Sequence, residues 1–514
     1  MPPRAWVLAT YAHGKHRRRV VIITSPRGSH NLTEREQAVR GGRPCAPHRP
    51  LSFWRVLLYY PAHAIEGPAD KHGRAVRWFL QVIEISQKRP RGVANPEERN
   101  LAVKGFLSRH VLPWLPMVMA MAAAVPSLAL RLGAVQASAP VTALLTGAAI
   151  LGAAFLLTWA SEAAQRDVSQ GLAVAGIALI AVLPEYAVDM YFAWTAARDP
   201  VYCHYAIANM TGSNRLLLGV GWPVIVFLWW GRTRKAELEI SARRRTDLGF
   251  LTVATIYAFL LPVKKYLSVW DTLVFFAIFA AYVRRVAKEA QEEPVLVGTA
   301  KMIGELPRVA RRIVAAGLYL YSAAVIVAST KPFAEALLAV GKQFGIDEFL
   351  LVQWVAPLAS EAPEFAVAGL FALRLHPEMS LGTLVSSKVN QWTLLVGMLP
   401  ATFCASAFAM RHMPLDPRQS EEVLLTACQS LFGLVVLGNL RLSVLEALML
   451  LGLFAGQLFS PSVHARYVFS AAYLALACLW LLRRPHRQGI WEGFRTVFGW
   501  GPPTAAPETA EKSQ

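Results

Sequence analysis

Stretches of about 20 mostly apolar residues, the length a helix needs to cross some 30 Å of hydrocarbon, recur along this chain from residue 111 to residue 483. They predict twelve membrane helices, near 112–130, 140–161, 168–196, 203–230, 248–263, 267–283, 310–330, 347–373, 381–410, 422–438, 443–459 and 466–483. Two of these runs are interrupted in the same way. Pro184-Glu185-Tyr186-Ala187-Val188-Asp189-Met190-Tyr191-Phe192-Ala193 is matched by Pro363-Glu364-Phe365-Ala366-Val367-Ala368-Gly369-Leu370-Phe371-Ala372, with six positions identical and one aromatic exchanged for another. Such a match predicts an internal repeat. A carboxylate in mid-membrane costs about 2.5–3.5 kcal/mol on insertion scales and is a functional residue by default. The duplicated Pro-Glu pair therefore predicts a cation pathway.

Composition agrees with a polytopic helical membrane protein: 55% of residues are apolar, 17% are charged, and the mean hydropathy is +0.37. Charge is unevenly spread. Residues 1–110 hold 20 Lys and Arg against 7 Asp and Glu, a net of +13 within the whole-chain +19. They read as a basic, poorly ordered cytoplasmic arm facing anionic lipid. No base-stacking or groove-reading pattern accompanies the charge, so nucleic acid is not an expected partner. The arm also lacks the clean apolar core of a signal peptide. Cys45, Cys203, Cys404, Cys428 and Cys478 show no metal or disulfide spacing, and Pro502 to Gln514 has a disordered composition. Trp229, Trp230, Tyr257, Tyr266 and Trp270 suit interfacial belts, and Glu162 with Arg166, one turn apart, is expected to pair. Walker, Rossmann and zinc motifs are absent from the sequence, so neither an enzyme nor a cofactor is expected.

Lys and Arg crowd two connections, six from Gly231 to Asp247 and seven from Arg284 to Arg312. The positive-inside bias places both loops, and both termini, in the cytoplasm of a plasma (inner) membrane protein. The helices of Glu185 and Glu364 are then five spans apart and must run in opposite directions. The expected layout is an extra span at 111–135, a repeat at 136–285, a linker at 286–309, a second repeat at 310–460, an extra span at 461–485 and a cytoplasmic tail at 486–514. Two inverted five-helix repeats of this kind suit alternating access around a midplane site.

A second helix in each half is rich in small and polar residues: Ala206-Ile207-Ala208-Asn209-Met210-Thr211-Gly212-Ser213-Asn214, and Ser380 to Gln391. A Pro-Glu helix followed by a Gly-Ser-Asn helix, twice, resembles the cation/calcium exchanger superfamily, best known for sodium/calcium exchangers. Asn209, Gly212, Ser213 and Asn214 match that family's Gly-Ser-Asn segment; Pro184 with Glu185 matches its Pro-Glu. Pro363, Glu364 and Ser387 keep the pattern in the second copy. The resemblance covers roughly residues 140–460 and implies a secondary cation antiporter in which Glu185 and Glu364 bind the ion or carry the exchanged proton. Ser213, Ser360, Ser387 and Gln391 would add oxygen ligands, while Asn209 and Asn214 would ligate or orient.

The residue types suit that task independently, since carboxylates and hydroxyls are the hard oxygen ligands that calcium prefers and mid-span proline frees backbone carbonyls. Glu185 with Asp189, and Glu361 with Glu364, share a helix face. Departures from the family pattern also carry information. Ala181 and Val182 stand where small hydroxyls are usual, Leu217 and Gln391 replace an Asn or Asp, and Lys388 replaces the Asn of Gly-Ser-Asn. A lysine within reach of Glu361 and Glu364 would tune the charge there, together with Asp189, and favours proton or monovalent-cation coupling: sodium:proton or calcium:cation exchange. The alternative from another class is a non-transporting sensor or scaffold derived from an exchanger. Ion pair, stoichiometry and oligomeric state stay open at this stage.

Overall fold

The computed structural model describes residues 7–12, 18–23, 114–167, 183–288, 296–460 and 462–500. Ala181 and Val182, most of the basic arm, Cys45 and Pro502 to Gln514 lie outside the described residues. The chain divides into Met1–Val93 and Ala94–Gln514. In the first unit the strand-favouring runs Val7–Ala12 (β1) and Arg18–Ile23 (β2) pair as an antiparallel hairpin.

The second unit is helical. Its first part comprises α1 Leu115–Ala122, α2 Ala124–Arg131, α3 Ala139–Ala164, α4 Leu183–Ala196, α5 Tyr202–Leu216, α6 Trp222–Thr233, α7 Arg245–Ala258, α8 Leu260–Lys264 and α9 Val269–Val286. After a connection come α10 Gly298–Gly304, α11 Arg308–Phe344, α12 Glu348–Leu373, α13 Pro377–Asn390, α14 Val396–Ala407, α15 Pro417–Val436, α16 Val444–Leu458, α17 Val463–Leu481 and α18 Arg484–Val497. Among the described residues, six helical stretches are long and apolar enough to cross a bilayer: 139–164, 202–233, 242–264, 308–344, 417–439 and 463–481. Two other expected spans fall short because of the charges they carry. α12 has 26 residues, ample length, but carries Glu348, Glu361 and Glu364; α9 carries Asp271, Arg284 and Arg285. The first half of the span through Glu185 lies outside the described residues.

Apolar side chains do two different things here. Trp222, Trp392, Phe432 and Tyr473 are buried between helices, whereas Ile313, Leu320 and Val327 of α11 and Trp270 and Leu273 of α9 point outward as a lipid-facing surface does. Between helices, small residues permit close approach. Gly212 of α5 lies against the backbone carbonyl of Gln353 in α12. That carbonyl is available because Pro357, four residues on, has no N–H to bond it.

The internal repeat is visible in the structure. A five-residue π-helical turn joins α5 to α6 at Leu217–Gly221, and another joins α13 to α14 at Gln391–Leu395. Each begins four residues after the serine of its repeat, Ser213 or Ser387. Strand β3 (Glu237–Glu239) follows α6 and pairs with β6 (Arg441–Ser443), which precedes α16. Reciprocally β4 (Tyr266–Leu267), which precedes α9, pairs with β5 (Met413–Pro414), which follows α14. Both α9 and α16 start on a capping box, Ser268 with Asp271 and Ser443 with Glu446. The two halves thus exchange equivalent strands.

One expectation changes. Glu162 and Arg166 do not pair: Arg166 Nη1 donates to the Gly304 carbonyl at 3.1 Å, and Glu162 Oε2 is buried without a hydrogen-bond partner among the described residues. Residues 484–497, which begin at the end of the last expected span and run into the tail, form a helix packed on the membrane helices. Its Gly489 and Gly493 lie against the carbonyl of Gly438 and the backbone of Gly249, and Arg245 reaches Glu492 at 3.0 Å.

Candidate cation site

The site assembles from α4, α5, α12 and α13 with the second π-turn. Glu185 and Asp189 point inward from α4 and are buried, as are Asn209, Ser213 and Asn214 of α5. Glu361 and Ser360 of α12, Lys388 of α13 and Gln391 of the π-turn are buried as well, while Glu364 and Ser387 are half-buried. Four carboxyls share one field. Glu185 feels Asp189 and Glu364 and has Gln391 and Ser213 beside it; Glu361 feels Glu185, Glu364 and Lys388 and also neighbours Ser213.

Hydrogen-bonding separates these residues into two classes. Glu185 Oε1, both oxygens of Asp189, both oxygens of Glu361, Ser213 Oγ, both amide atoms of Asn209 and Gln391 Oε1 are buried without a hydrogen-bond partner among the described residues. Such atoms are rare in proteins, and a cluster of them calls for an explanation. Others are committed. Ser387 Oγ donates to Glu364 Oε2 at 2.6 Å. Asn214 Nδ2 donates to Met210 O at 2.9 Å, while its Oδ1 accepts from Lys388 Nζ at 2.6 Å. Ser360 Oγ turns back to the carbonyls of Ala356 at 3.4 Å and Pro357 at 3.2 Å, so it serves its own helix.

Lys388 departs from its expected partners. Its ammonium donates to Asn214 Oδ1 and, at 3.2 Å, to the Asn214 carbonyl, and lies 4.6 Å from the centre of the Trp392 ring. Glu361 and Glu185 act on it from farther away. The lysine therefore occupies the end of the site with its amino group held on Asn214. Among the described residues no three acidic, histidine or cysteine side chains converge at metal-ligating distance. Carboxylates alone do not form a cage, and any bound ion must also draw on hydroxyl and amide oxygens. Those oxygens are present: Ser213, Asn209 and Gln391 lie beside the acids with free lone pairs. Holding several ionised carboxylates together in a low-dielectric interior is costly unless a cation or protons join them. The donor set fits a hard cation, for which about six to eight oxygens are usual in the case of calcium.

Both halves of the chain match the family described as sodium/calcium exchanger protein, over residues 138–287 and 314–463. The chain belongs to the sodium/calcium exchanger family. As a member of that family it is an integral membrane protein and a cation antiporter, and the double match makes each half one copy of the family unit. It is similar to the solved H+/Ca2+ exchanger CAX, with 42% sequence identity over 76% of this chain and 98% of that one, at a TM-score of 0.72. It shares a fold with native YfkE, at 17% identity and a TM-score of 0.50, covering 70% of this chain and all of that one. No curated protein matches the chain.

Several residues of this exchanger escaped sequence reasoning. Tyr186 donates to Asn390 Oδ1 at 2.6 Å, tying α4 to α13 beside Glu185. Arg244 donates to Glu378 at 2.7 Å and to Ser386 at 3.0 Å, steadying the residue before Ser387. Arg215 and Glu422 form a buried pair at 2.6 Å. A signal for this pair was present, since arginine and glutamate inside apolar runs mark functional positions.

Proposed function

We propose that this exchanger moves calcium across the membrane against protons, with Glu185, Glu361, Ser213, Asn209 and Gln391 supplying oxygens to the ion and Glu364 carrying exchanged protons or joining the ligands. The observation that carries this reading is the cluster of buried oxygens without hydrogen-bond partners among the described residues, set beside the Lys388 amino group that Asn214 holds. Proton coupling is further supported by the 42% identity to a protein titled as an H+/Ca2+ exchanger.

The architecture of this reading is twelve spans with both termini in the cytoplasm of a plasma (inner) membrane, arranged as two inverted five-helix repeats around a midplane site. The basic connections and the reciprocal strand pairs support it. The π-turns sit at the crossings and leave carbonyls and side chains off the regular helical ladder, as such turns do at functional sites. Purified protein in proteoliposomes, screened across sodium, potassium, calcium and proton gradients, tests the function. Calcium uptake driven by an outward proton gradient is the expected result. Sodium-driven calcium flux without pH dependence would replace protons by sodium in the cycle.

A further inference from the structure

Helix α18 turns its smallest residues toward the protein and its largest outward. On the inner side His486, Gly489 and Gly493 are buried: His486 Nδ1 lies 3.0 Å from the Val435 carbonyl, and the two glycines abut the backbone of Gly438 and Gly249. Arg484, Arg487, Trp491, Arg495 and Phe498 recur at spacings of three and four residues and form the opposite face, which is exposed. Trp491, Phe494, Phe498 and Trp500 make a continuous ladder with ring centres 6.0, 4.8 and 5.3 Å apart, and Trp491 is 55% and Trp500 62% exposed. Glu492, the one acid of the helix, is engaged by Arg245 at 3.0 Å. No acid of α18 is left for Arg484 and Arg487.

Position decides what this outer face meets. α18 begins three residues beyond the membrane-crossing stretch 463–481, its Gly489 lies on Gly438 at the end of the stretch 417–439, and its Gly493 lies on Gly249 near the start of the stretch 242–264. Three spans thus end or begin at the level of α18, which sets the helix at the bilayer surface. The basic connection from Gly231 to Asp247 emerges at the same end. Exposed rings interleaved with arginines suit that level: the rings seat at the boundary of acyl chains and headgroups, and guanidinium groups pair with phosphates in two-pronged hydrogen bonds.

We propose that the outer face of α18 is a binding surface for anionic phospholipid headgroups. Arg484 and Arg487 hold the phosphates, the ladder from Trp491 to Trp500 seats between the lipids, and the bound lipid fastens α18 onto α7 and the end of α15.

Hydrogen exchange of the full-length protein in nanodiscs tests this, because it reads α18 separately from the basic arm. The probes are discs of phosphatidylcholine and discs in which phosphatidylglycerol replaces part of it. A ligand that binds only the docked helix slows its opening by mass action. Exchange over Arg484–Val497 should slow by at least about fivefold with phosphatidylglycerol, the factor for one arginine near an anionic surface. Arg484→Gln with Arg487→Gln should remove most of that difference, and both side chains are exposed, so the fold should stay intact. Arg484→Lys with Arg487→Lys should keep it, and stands in for the wild type if the glutamine pair loosens α18 in phosphatidylcholine as well. Arg198→Gln with Arg411→Gln, exposed on other connections, should also keep it. Equal exchange in the two lipids, or full protection in the glutamine pair, overturns the proposal. Equal protection from glycerol phosphate added to phosphatidylcholine discs would overturn it in favour of a soluble phosphate. Protection that appears in phosphatidylcholine only as protein concentration rises would overturn it in favour of a second copy of the chain.

Discussion

Gly212→Ala should damage this exchanger far more than the gain of one methyl group suggests. An alanine Cβ built at 212 would lie 1.8 Å from the Gln353 carbonyl oxygen, 2.7 Å from the carbonyl carbon and 3.0 Å from Gln353 Cγ. Carbon–oxygen contacts settle at about 3.3–3.6 Å, so α5 and α12 must part by roughly 1.5 Å. The obstacle is backbone, which cannot swing aside as a side chain can. Overpacking of this kind costs about 1–3 kcal/mol. The larger effect falls on the site, because α5 carries Asn209 and Ser213 while α12 carries Glu361 and Glu364. Binding constellations tolerate displacements of only about 0.5 Å. The apparent calcium affinity should therefore weaken by at least about tenfold, equivalent to about 1.4 kcal/mol. Initial rates of calcium uptake into proteoliposomes, measured against calcium concentration at a fixed pH gradient, read this directly. Gly317→Ala is the control, since nothing lies within 4 Å of a Cβ at that position. Equal affinities in the two variants would refute the reasoning that the Gly212 contact sets the site.

Glu185→Gln and Glu364→Gln should each reduce exchange to background while the protein remains folded, because the amide keeps the shape and, at 364, can still accept from Ser387; wild-type flux in Glu364→Gln would remove the core of the proposed function. Asp167, beyond the end of α3, is gripped by Arg311 at 2.6 Å with Arg308 and Arg312 nearby, and the Arg311 hydrogen bond holds its carboxyl below the usual range. A depressed folded value contributes stability above the unfolded value of about 3.9 and loses it as pH falls through the folded one. Asp167→Asn should thus lower the melting temperature at pH 7, and the difference from wild type should shrink steadily below about pH 4. Gly489→Ala would place a Cβ 1.6 Å from the Gly438 carbonyl oxygen and should undock α18, seen as faster tryptic cleavage at Arg487 and Arg495 with the membrane helices intact.

Much of the architecture was legible because it is written in local pattern. The Pro-Glu repeat lies in contiguous residues, and the structure brings Glu185 and Glu364 near one another. The polarity of Glu185 and Glu364 within apolar runs singles them out. Ser360 was less legible: its hydroxyl donates to the carbonyls of its own turn, a choice that depends on rotamer and on the prolines around it. Arg215 escaped notice although it adjoins the Gly-Ser-Asn segment, since its partner Glu422 lies 207 positions away in sequence.

The sequence by itself determined a helical, duplicated membrane protein of the exchanger family, because apolar length, loop charge and contiguous motifs act through solvent partition and need no knowledge of which helix meets which. The tertiary structure alone decided which polar groups remain free for an ion. Asn209 and Asn214 sit five residues apart on one helix, yet among the described residues the first faces Asp189 with no well-aligned hydrogen bond and the second is spent on Lys388. That difference arises from hydrogen bonds made between helices, whose partners are distant in the chain and become neighbours only when the repeats pack together.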